Sequence, residues 1–293
     1  MPSGESPFQH IAIAGLGLIG GSIALAVRER WPSIRIVGLD SPSVLAHALG
    51  SGAIERAATG IDDIGTPDLV VLAAPVRQNA ELLRLLAARG DHSPGAPLRR
   101  TVVTDVGGTK QDIVAVAESL GPAFPFVGGH PIGGAERGGF GFARPDLFAG
   151  RPWILTPVDS TPPEALARVE RFAAGLGARP ARLSPVDHDH LMAYVSHLPQ
   201  LAASALMSVV GSRASSGLRL AGRGLVDSTR LASSPASVWK DISTSNAEFI
   251  GEALETLITA LTELRADLHR GEALDSTFNE AARWRAELMK GRD

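Results

Sequence analysis

IAIAGLGLIGGSIALAV, residues 11–27, runs seventeen positions without a charge and carries four glycines. As a membrane span it falls short of the roughly 20 apolar residues a helix needs to cross a bilayer. Its glycines also follow a pattern: Gly15, Gly17 and Gly20 spell GxGxxG directly after a strand-like apolar run. In that context the first glycine makes a tight turn, and the second lets backbone approach a pyrophosphate. The third lets the following helix pack close to the strand, and the helix N-terminus then faces the phosphates. Leu18 and Ile19 complete the candidate cofactor contacts of this loop. Asp40 closes the next strand-like run, twenty residues after Gly20. A carboxylate there binds both ribose hydroxyls of NAD and repels a 2′-phosphate. Ser41, Pro42 and Ser43 follow it, with no arginine. The stretch therefore predicts a dinucleotide fold with NAD, rather than NADP, as its cofactor.

Outward from that turn, short apolar runs alternate with helical patterns. Strands are predicted at 11–15, 34–40, 68–74, 101–106, 124–129 and 152–157, with an edge strand at 178–185. Helical segments are ALGSGAIERA (48–57), QNAELLRLLAARG (78–90, closing at Gly90) and TKQDIVAVAESLG (109–121). The last carries Thr109 as its cap, with Asp112 three residues on. TPPEALARVERFAAGLG (161–177) repeats the signal with Thr161 as cap, Pro162 at the first helical position and Glu164. Such alternation implies a mainly parallel sheet covered on both faces. DHSPGAPLRR (91–100) reads as a surface loop.

After Ser184 the strand-like runs vanish. Leu191, Val195, Leu198, Ala202, Ala205 and Val209 recur at helical spacing. Ile250, Leu254, Leu257, Leu261, Leu264 and Leu268 sustain a three-four repeat, and Gly271 suits the helix end. The expected plan is α/β then all-α: a Rossmann-like, doubly wound domain over residues 1–183 and a helical domain over 184–293. The apolar stripe is either the core of that helical domain or the seam of a homodimer.

The totals exclude several classes. Lys and Arg number 28 against 31 Asp and Glu, a net charge of −3, which leaves no basic footprint for nucleic acid or membrane. The absence of cysteine rules out disulfides, thiolate metal sites and a cysteine nucleophile. MPSGESPFQH, residues 1–10, has neither a basic n-region nor an apolar core, so no signal peptide is expected and the protein reads as cytoplasmic.

VGGHPIGGAERGG, residues 127–139, sets six glycines around His130. His130 follows the fifth predicted strand, which places it at the carboxyl edge of the sheet near the nicotinamide, with the glycines turning the chain sharply there. A neutral imidazole in that position accepts a proton from a substrate hydroxyl as hydride leaves the same carbon. The alternative is a solvated loop histidine. Ala74, Pro75 and Val76 end the third strand, and Gly108 in DVGGTK (105–110) ends the fourth, near the point where strand order reverses. Both turns are candidate cofactor contacts, because ligands bind outside the carboxyl ends of such strands. His188 and His190 in DHDH lack supporting ligands at metal spacing, so no metal is expected.

In order, GLGLIGGS, LVVLAAPV, DVGGTK, GGHPIGGAERGG, HDH…SHLP and DSTRLASSPASVWKDI run nearly the whole chain. Together they resemble the prephenate and arogenate dehydrogenases of tyrosine biosynthesis. The resemblance implies a nucleotide-binding domain followed by a helical dimerisation domain. It implies that His130 bonds the substrate's ring hydroxyl and that Arg230 in DSTR grips a substrate carboxylate, a task suited to its bidentate fork. Asp227 matches an acid orienting that arginine, Glu136 a polar residue at the pocket mouth, and Ser196 a pocket residue; His197 reads equally as a packed helix histidine. The implied reaction is NAD-dependent oxidative decarboxylation of prephenate to 4-hydroxyphenylpyruvate, with arogenate to tyrosine as a second use.

Two positions depart from the family pattern. A serine usual after DVG, whose hydroxyl touches the histidine and the substrate, is Gly108 here; Thr109 offers a hydroxyl one position later. Gln200 stands in SHLPQ where many prephenate-specific members have histidine, and its neutral amide suits a keto acid or an ammonium alike. Two other functions fit the residues: a hydroxyacid or imine oxidoreductase on the same two-domain plan, and a non-catalytic NAD-binding regulator, which Gly108 keeps open.

Overall fold

The computed structural model describes residues 5–89, 100–121, 124–134 and 137–290. Its first part alternates as the sequence predicts. The elements are β1 (His10–Ala14), α1 (Leu18–Arg30), β2 (Arg35–Leu39), α2 (Pro42–Gly50), β3 (Arg56–Ala57), β4 (Leu69–Leu72) and α3 (Val76–Ala88). There follow β5 (Val102–Asp105), α4 (Gln111–Ser119), β6 (Phe126–Pro131), β7 (Pro152–Thr156), α5 (Pro163–Gly175) and β8 (Arg179–Arg182). The strands form one sheet in the order β3-β2-β1-β4-β5-β6-β7-β8. Every neighbouring pair is parallel except β6 and β7.

A central parallel strand is buried on both faces, which is why its sequence is apolar throughout. Ile11 and Ile13 of β1 point to the layer that α1, α2 and α5 cover with Ile23, Leu45 and Phe172. Ala12 and Ala14 point to the other layer, packed with Leu83 of α3 and Ile113 of α4. Ile11 and Ile13 are fully buried, each worth roughly 1.5–3 kcal/mol relative to exposure. The uncharged run 11–27 is thus a strand, a turn and a helix. Among the described residues no helix is long and apolar enough to cross a membrane.

Several expectations shift. The helix expected over 48–57 lies earlier: Pro42 opens α2, and Gly52, at φ +73°, turns the chain toward the short edge strand β3. The helix α5 starts one residue later than expected, with Pro162 in the cap position, and Thr161 instead accepts from the Val158 N–H at 3.1 Å. The helix α4 begins at Gln111, and Thr109 does not cap it. Strand order reverses between β1 and β4, one strand away from the DVGG turn. His130 lies within β6 rather than after it, because antiparallel pairing with β7 extends that strand to Pro131. Gly128 and Gly129, the two glycines before His130, serve packing rather than turning, whereas Gly139 turns the chain at φ +93°. A side chain at Gly128 would collide with Thr156 Oγ1, and one at Gly129 would lie 2.7 Å from the Asp105 carbonyl oxygen. Gly90 and the loop through residue 99 lie outside the described residues.

Beyond β8 the chain is helical: α6 (Pro185–Met192), a π-helical turn (Ala193–His197), α7 (Leu198–Ala214), α8 (Arg223–Ser228), a 3-10 turn (Arg230–Ser233) and α9 (Ala236–Ser245). Ser184 caps α6 by accepting from the Asp187 N–H. The chain divides into two compact units, Met1–Asn246 and Ala247–Asp293. The second holds α10 (Ala247–Asp267) and α11 (Glu272–Met289). Gly271, at φ +84°, donates to the Asp267 carbonyl and closes α10 where the sequence places a helix end. Of the apolar positions at helical spacing, Ile250 is buried, whereas Val195, Val209, Leu261 and Leu268 are 55–64% exposed.

Candidate active site

The glycine turn between β1 and α1 is built by exclusion. Gly15 sits at φ +95°, and a side chain there would strike the Ala73–Ala74 backbone. A side chain at Gly20 would strike the Gly15 carbonyl oxygen, whereas at Gly17 nothing lies within 4 Å. Two glycines therefore hold the turn against the sheet, and the third leaves open space before an α1 N-terminus that has no side-chain cap. Its unsatisfied N–H groups and dipole suit an anion. Asp40 accepts from the Leu16 and Ser41 N–H groups at 2.6 Å each. With Gly15, Gly17, Ala74 and Pro75 it lines a cleft of about 610 Å³. The buried Asn79 accepts from the Ala74 N–H at 2.9 Å, which fixes the turn leading into Val76 at the start of α3. Leu18 and Ile19 are half-buried in the first turn of α1, and Gly108 is half-buried beyond β5. Close backbone, an open glycine, a free helix end and a carboxylate at the end of β2 together fit a dinucleotide without a 2′-phosphate.

A second cluster is built from side chains. His130 Nδ1 lies 2.9 Å from His188 Nε2 on α6, and His188 Nδ1 lies 2.7 Å from Asp189 Oδ1. Asp189 also accepts from the Lys110 and Gln111 N–H groups at 2.7 and 2.9 Å. It therefore caps α4, the role expected of Thr109. Asn246 donates to the Asp189 carbonyl at 2.8 Å and lies 3.2 Å from His197 Nδ1. Beneath them the Lys110 ammonium pairs with Asp105 and donates to the Gly129 carbonyl at 2.7 Å, with both ion-pair side chains buried. Asp105 in turn accepts from the Gly107 and Gly129 N–H groups, tying the DVGG turn to β6.

The electrostatics keep His130 and His197 neutral. Close packing around His130 holds its imidazole well below the usual histidine range, and nearby His188, Lys110 and His197 push the same way. Burial likewise lowers His197 to about 4. Burial alone would raise the Asp189 carboxyl, but hydrogen bonds from His188, Gln111 and Lys110 outweigh it and hold the group below its ordinary value. Burial pulls the Lys110 ammonium down against the attraction of Asp105. A neutral imidazole joined through a second ring to a fixed carboxylate is equipped to take a proton.

Thr109 is buried, and its hydroxyl meets Ser245 Oγ at 2.8 Å; it is not a hydrogen-bond partner of His130. Ser196 is half-buried in the π-helical turn. Gln200 is buried with its amide committed, donating to the Leu231 carbonyl at 2.7 Å and Ser204 at 3.2 Å and accepting from Ser234 at 3.1 Å. It thereby ties α7 to the turn that begins with Arg230. Arg230 and Asp227 are both exposed, and no ion pair joins them. Glu136 lies outside the described residues. His188, Asp189, Lys110, Asp105 and Asn246 carry no functional expectation from sequence. The DHDH run opening a helix and the Asp and Lys of DVGGTK are the signals that point to them. Among the described residues no three histidines or carboxylates converge as metal ligands.

Comparison with known proteins agrees along the chain. The family described as prephenate dehydrogenase, nucleotide-binding domain, matches residues 23–181, and prephenate dehydrogenase, dimerization domain, matches residues 184–280. The prephenate dehydrogenase of Bacillus subtilis is 35% identical over 272 residues, covering 90% of this chain and 71% of its own. The cyclohexadienyl dehydrogenase of Zymomonas mobilis is 30% identical over 98% of both chains. A crystal structure of prephenate dehydrogenase from A. aeolicus, in complex with hydroxyphenyl propionate and NAD+, superposes with a TM-score of 0.86 at 32% identity, covering 96% of this chain and 98% of that one. The chain belongs to the prephenate dehydrogenase family.

Proposed function

We propose that the protein oxidatively decarboxylates prephenate to 4-hydroxyphenylpyruvate with NAD, in tyrosine biosynthesis, and also accepts arogenate. The observation that carries this reading is His130, held neutral on the sheet edge that also carries the glycine turn, in a chain of this family. NAD, held by Gly15, Gly17, Leu18, Ile19, Gly20, Asp40, Ala74, Pro75, Val76 and Gly108, supplies the acceptor for the carbinol hydrogen and its electron pair. His130 takes the hydroxyl proton as the carbinol becomes a carbonyl. The ring carboxylate then leaves as carbon dioxide, and the electrons of its C–C bond aromatise the ring to a phenolate. The phenolate recovers a proton from His130, so the imidazole ends the cycle neutral. Arg230, exposed and without an ion-pair partner among the described residues, holds a substrate carboxylate, with Ser196, Gln200, Asp227, Thr109 and Glu136 around the substrate. The work of these residues is positioning, since aromatisation drives the reaction.

The functional division falls at Ser184, a reading supported by the two matched families, which change between residues 181 and 184. The exposed apolar positions of the helical region cover a second copy of the chain. The name of the C-terminal family and the exposure of Val195, Val209, Leu261 and Leu268 support a homodimer. Soluble substrates and the lack of a membrane-crossing helix among the described residues fit a cytoplasmic enzyme. Prephenate and arogenate, each assayed with NAD and with NADP, test the reading. NADH and carbon dioxide should form from prephenate with NAD; no turnover of either cyclohexadiene overturns it.

A further inference from the structure

We propose that His188 and Asp189 form a relay that fixes which nitrogen of His130 carries the proton, leaving Nε2 as the base. This rests on the role of His130 given above. A carboxylate only accepts hydrogen bonds, so the 2.7 Å contact from Asp189 Oδ1 places a hydrogen on His188 Nδ1. In the relay the other nitrogen of that ring, Nε2, is the acceptor. That atom lies 2.9 Å from His130 Nδ1, which must therefore be the N–H of the second ring. The lone pair of His130 is left on Nε2, the nitrogen that bonds neither His188 nor any other described side chain.

The anchor of the relay cannot rotate. Asp189 is fully buried, and both its oxygens accept from the first turn of α4: Oδ1 from the Lys110 N–H, Oδ2 from the Gln111 N–H and, at 3.3 Å, from the Gln111 amide. Asn246 pins its carbonyl from another side. The same carboxylate thus caps the helix that follows DVGGTK and sets the tautomer of the histidine on the neighbouring strand. Orientation of the imidazole in this chain is supplied from α6, which explains how Gly108 can stand where the family pattern has a hydroxyl. His188 and Asp189 touch no substrate in this scheme; they are positioning residues.

Nitrogen-15 NMR of histidine-labelled protein, without substrate, tests the relay directly. The signals of His130 are identified by their loss in His130→Asn, and at neutral pH they should show the Nδ1–H tautomer. In Asp189→Asn the amide can donate to His188, the order of donors reverses, and His130 should shift toward Nε2–H. Its kcat should fall about 10³–10⁴-fold, as when an orienting aspartate is lost from a histidine dyad, with KM for prephenate within a few-fold. Should Asp189→Asn fail to fold, His188→Gln and His188→Leu replace it. Glutamine can still accept from His130 Nδ1, so its kcat should exceed that of the leucine variant at least tenfold. Nε2–H on His130 in the unaltered protein, full kcat in folded Asp189→Asn, or equal loss in the two His188 variants each overturns the relay. Absence of turnover in the unaltered protein would overturn the proposed reaction, while the tautomer measurement would still decide the relay.

Discussion

The glycine turn and the histidine cluster share one edge of one sheet, yet they are built by opposite means. The turn is backbone, six consecutive residues whose critical feature is missing side chains. The cluster is side chain upon side chain, joining β6, α6 and the DVGGTK turn across 58 and 79 residues of sequence. A backbone site tolerates chemistry and fails on volume. A network tolerates volume poorly and chemistry hardly at all, because losing one member leaves its buried partner unpaired. The sharpest way to separate the two ends is His130→Asn. Turnover should fall roughly 10²–10⁴-fold, the usual worth of a general base, while NAD affinity by calorimetry stays within a few-fold. Equal loss of both would show that the two ends are one site energetically.

The next largest effect concerns the ion pair under the cluster. Lys110→Met leaves the Asp105 carboxylate buried without its counter-ion, a change that typically costs about 3–5 kcal/mol. Urea unfolding should show that loss, and prephenate turnover should fall with it, because Lys110 also holds the Gly129 carbonyl beside His130. A variant as stable as the parent would mean that the pair is structurally idle.

Acid should weaken the histidine end in a defined window. Unfolded His197 takes its proton near pH 6.5, whereas folded His197 resists until about 4. Between those values the unfolded chain binds more protons, so stability is complete above pH 6.5 and declines as pH falls toward 4. The lowered His130 acts in the same direction. Asp189, held below the usual carboxylate value, adds a further loss at lower pH, as it is protonated. The His197 share is about 3 kcal/mol at most. Unfolding midpoints at pH 7, 5.5 and 4 should fall less steeply in His197→Gln; an unchanged slope would remove His197 from the account.

How much was legible follows the same contrast. Gly15, Gly17, Gly20 and Asp40 are legible because they fall in one consecutive strand–turn–helix–strand unit, where spacing carries the geometry. The alternation of strands and helices was legible for the same reason. His130 stands out by its glycine-rich setting but is misplaced by local reading, since the antiparallel partner that extends β6 comes from residues 152–156. Thr109 looked like a cap because Asp112 follows it, but a carboxylate from α6 occupies that helix end. Gln200 stands out by its place in SHLPQ, but only the fold shows that its amide also bonds Leu231, Ser204 and Ser234. Long-range hydrogen bonds have no period in sequence, and nothing local in DHDH shows that His188 meets His130 and Asp189 meets the start of α4.

The smallest expected effect tests how complete that support is. At Gly108 the backbone is not left-handed, and an added Cβ would meet only Ile242, at 3.7 and 4.0 Å, ordinary contact distances. Gly108→Ser should therefore fold without strain, with stability equal to the parent or higher by about 0.4–1 kcal/mol, as when a glycine is replaced at a compatible position. It restores the hydroxyl that the family pattern places after DVG. If His188 and Asp189 already fix the imidazole, a further hydrogen bond adds little, and kcat should change less than tenfold. A gain of a hundredfold or more would mean that His130 is under-oriented in the natural chain, and the contrast would then lie between a finished nucleotide end and an unfinished catalytic one.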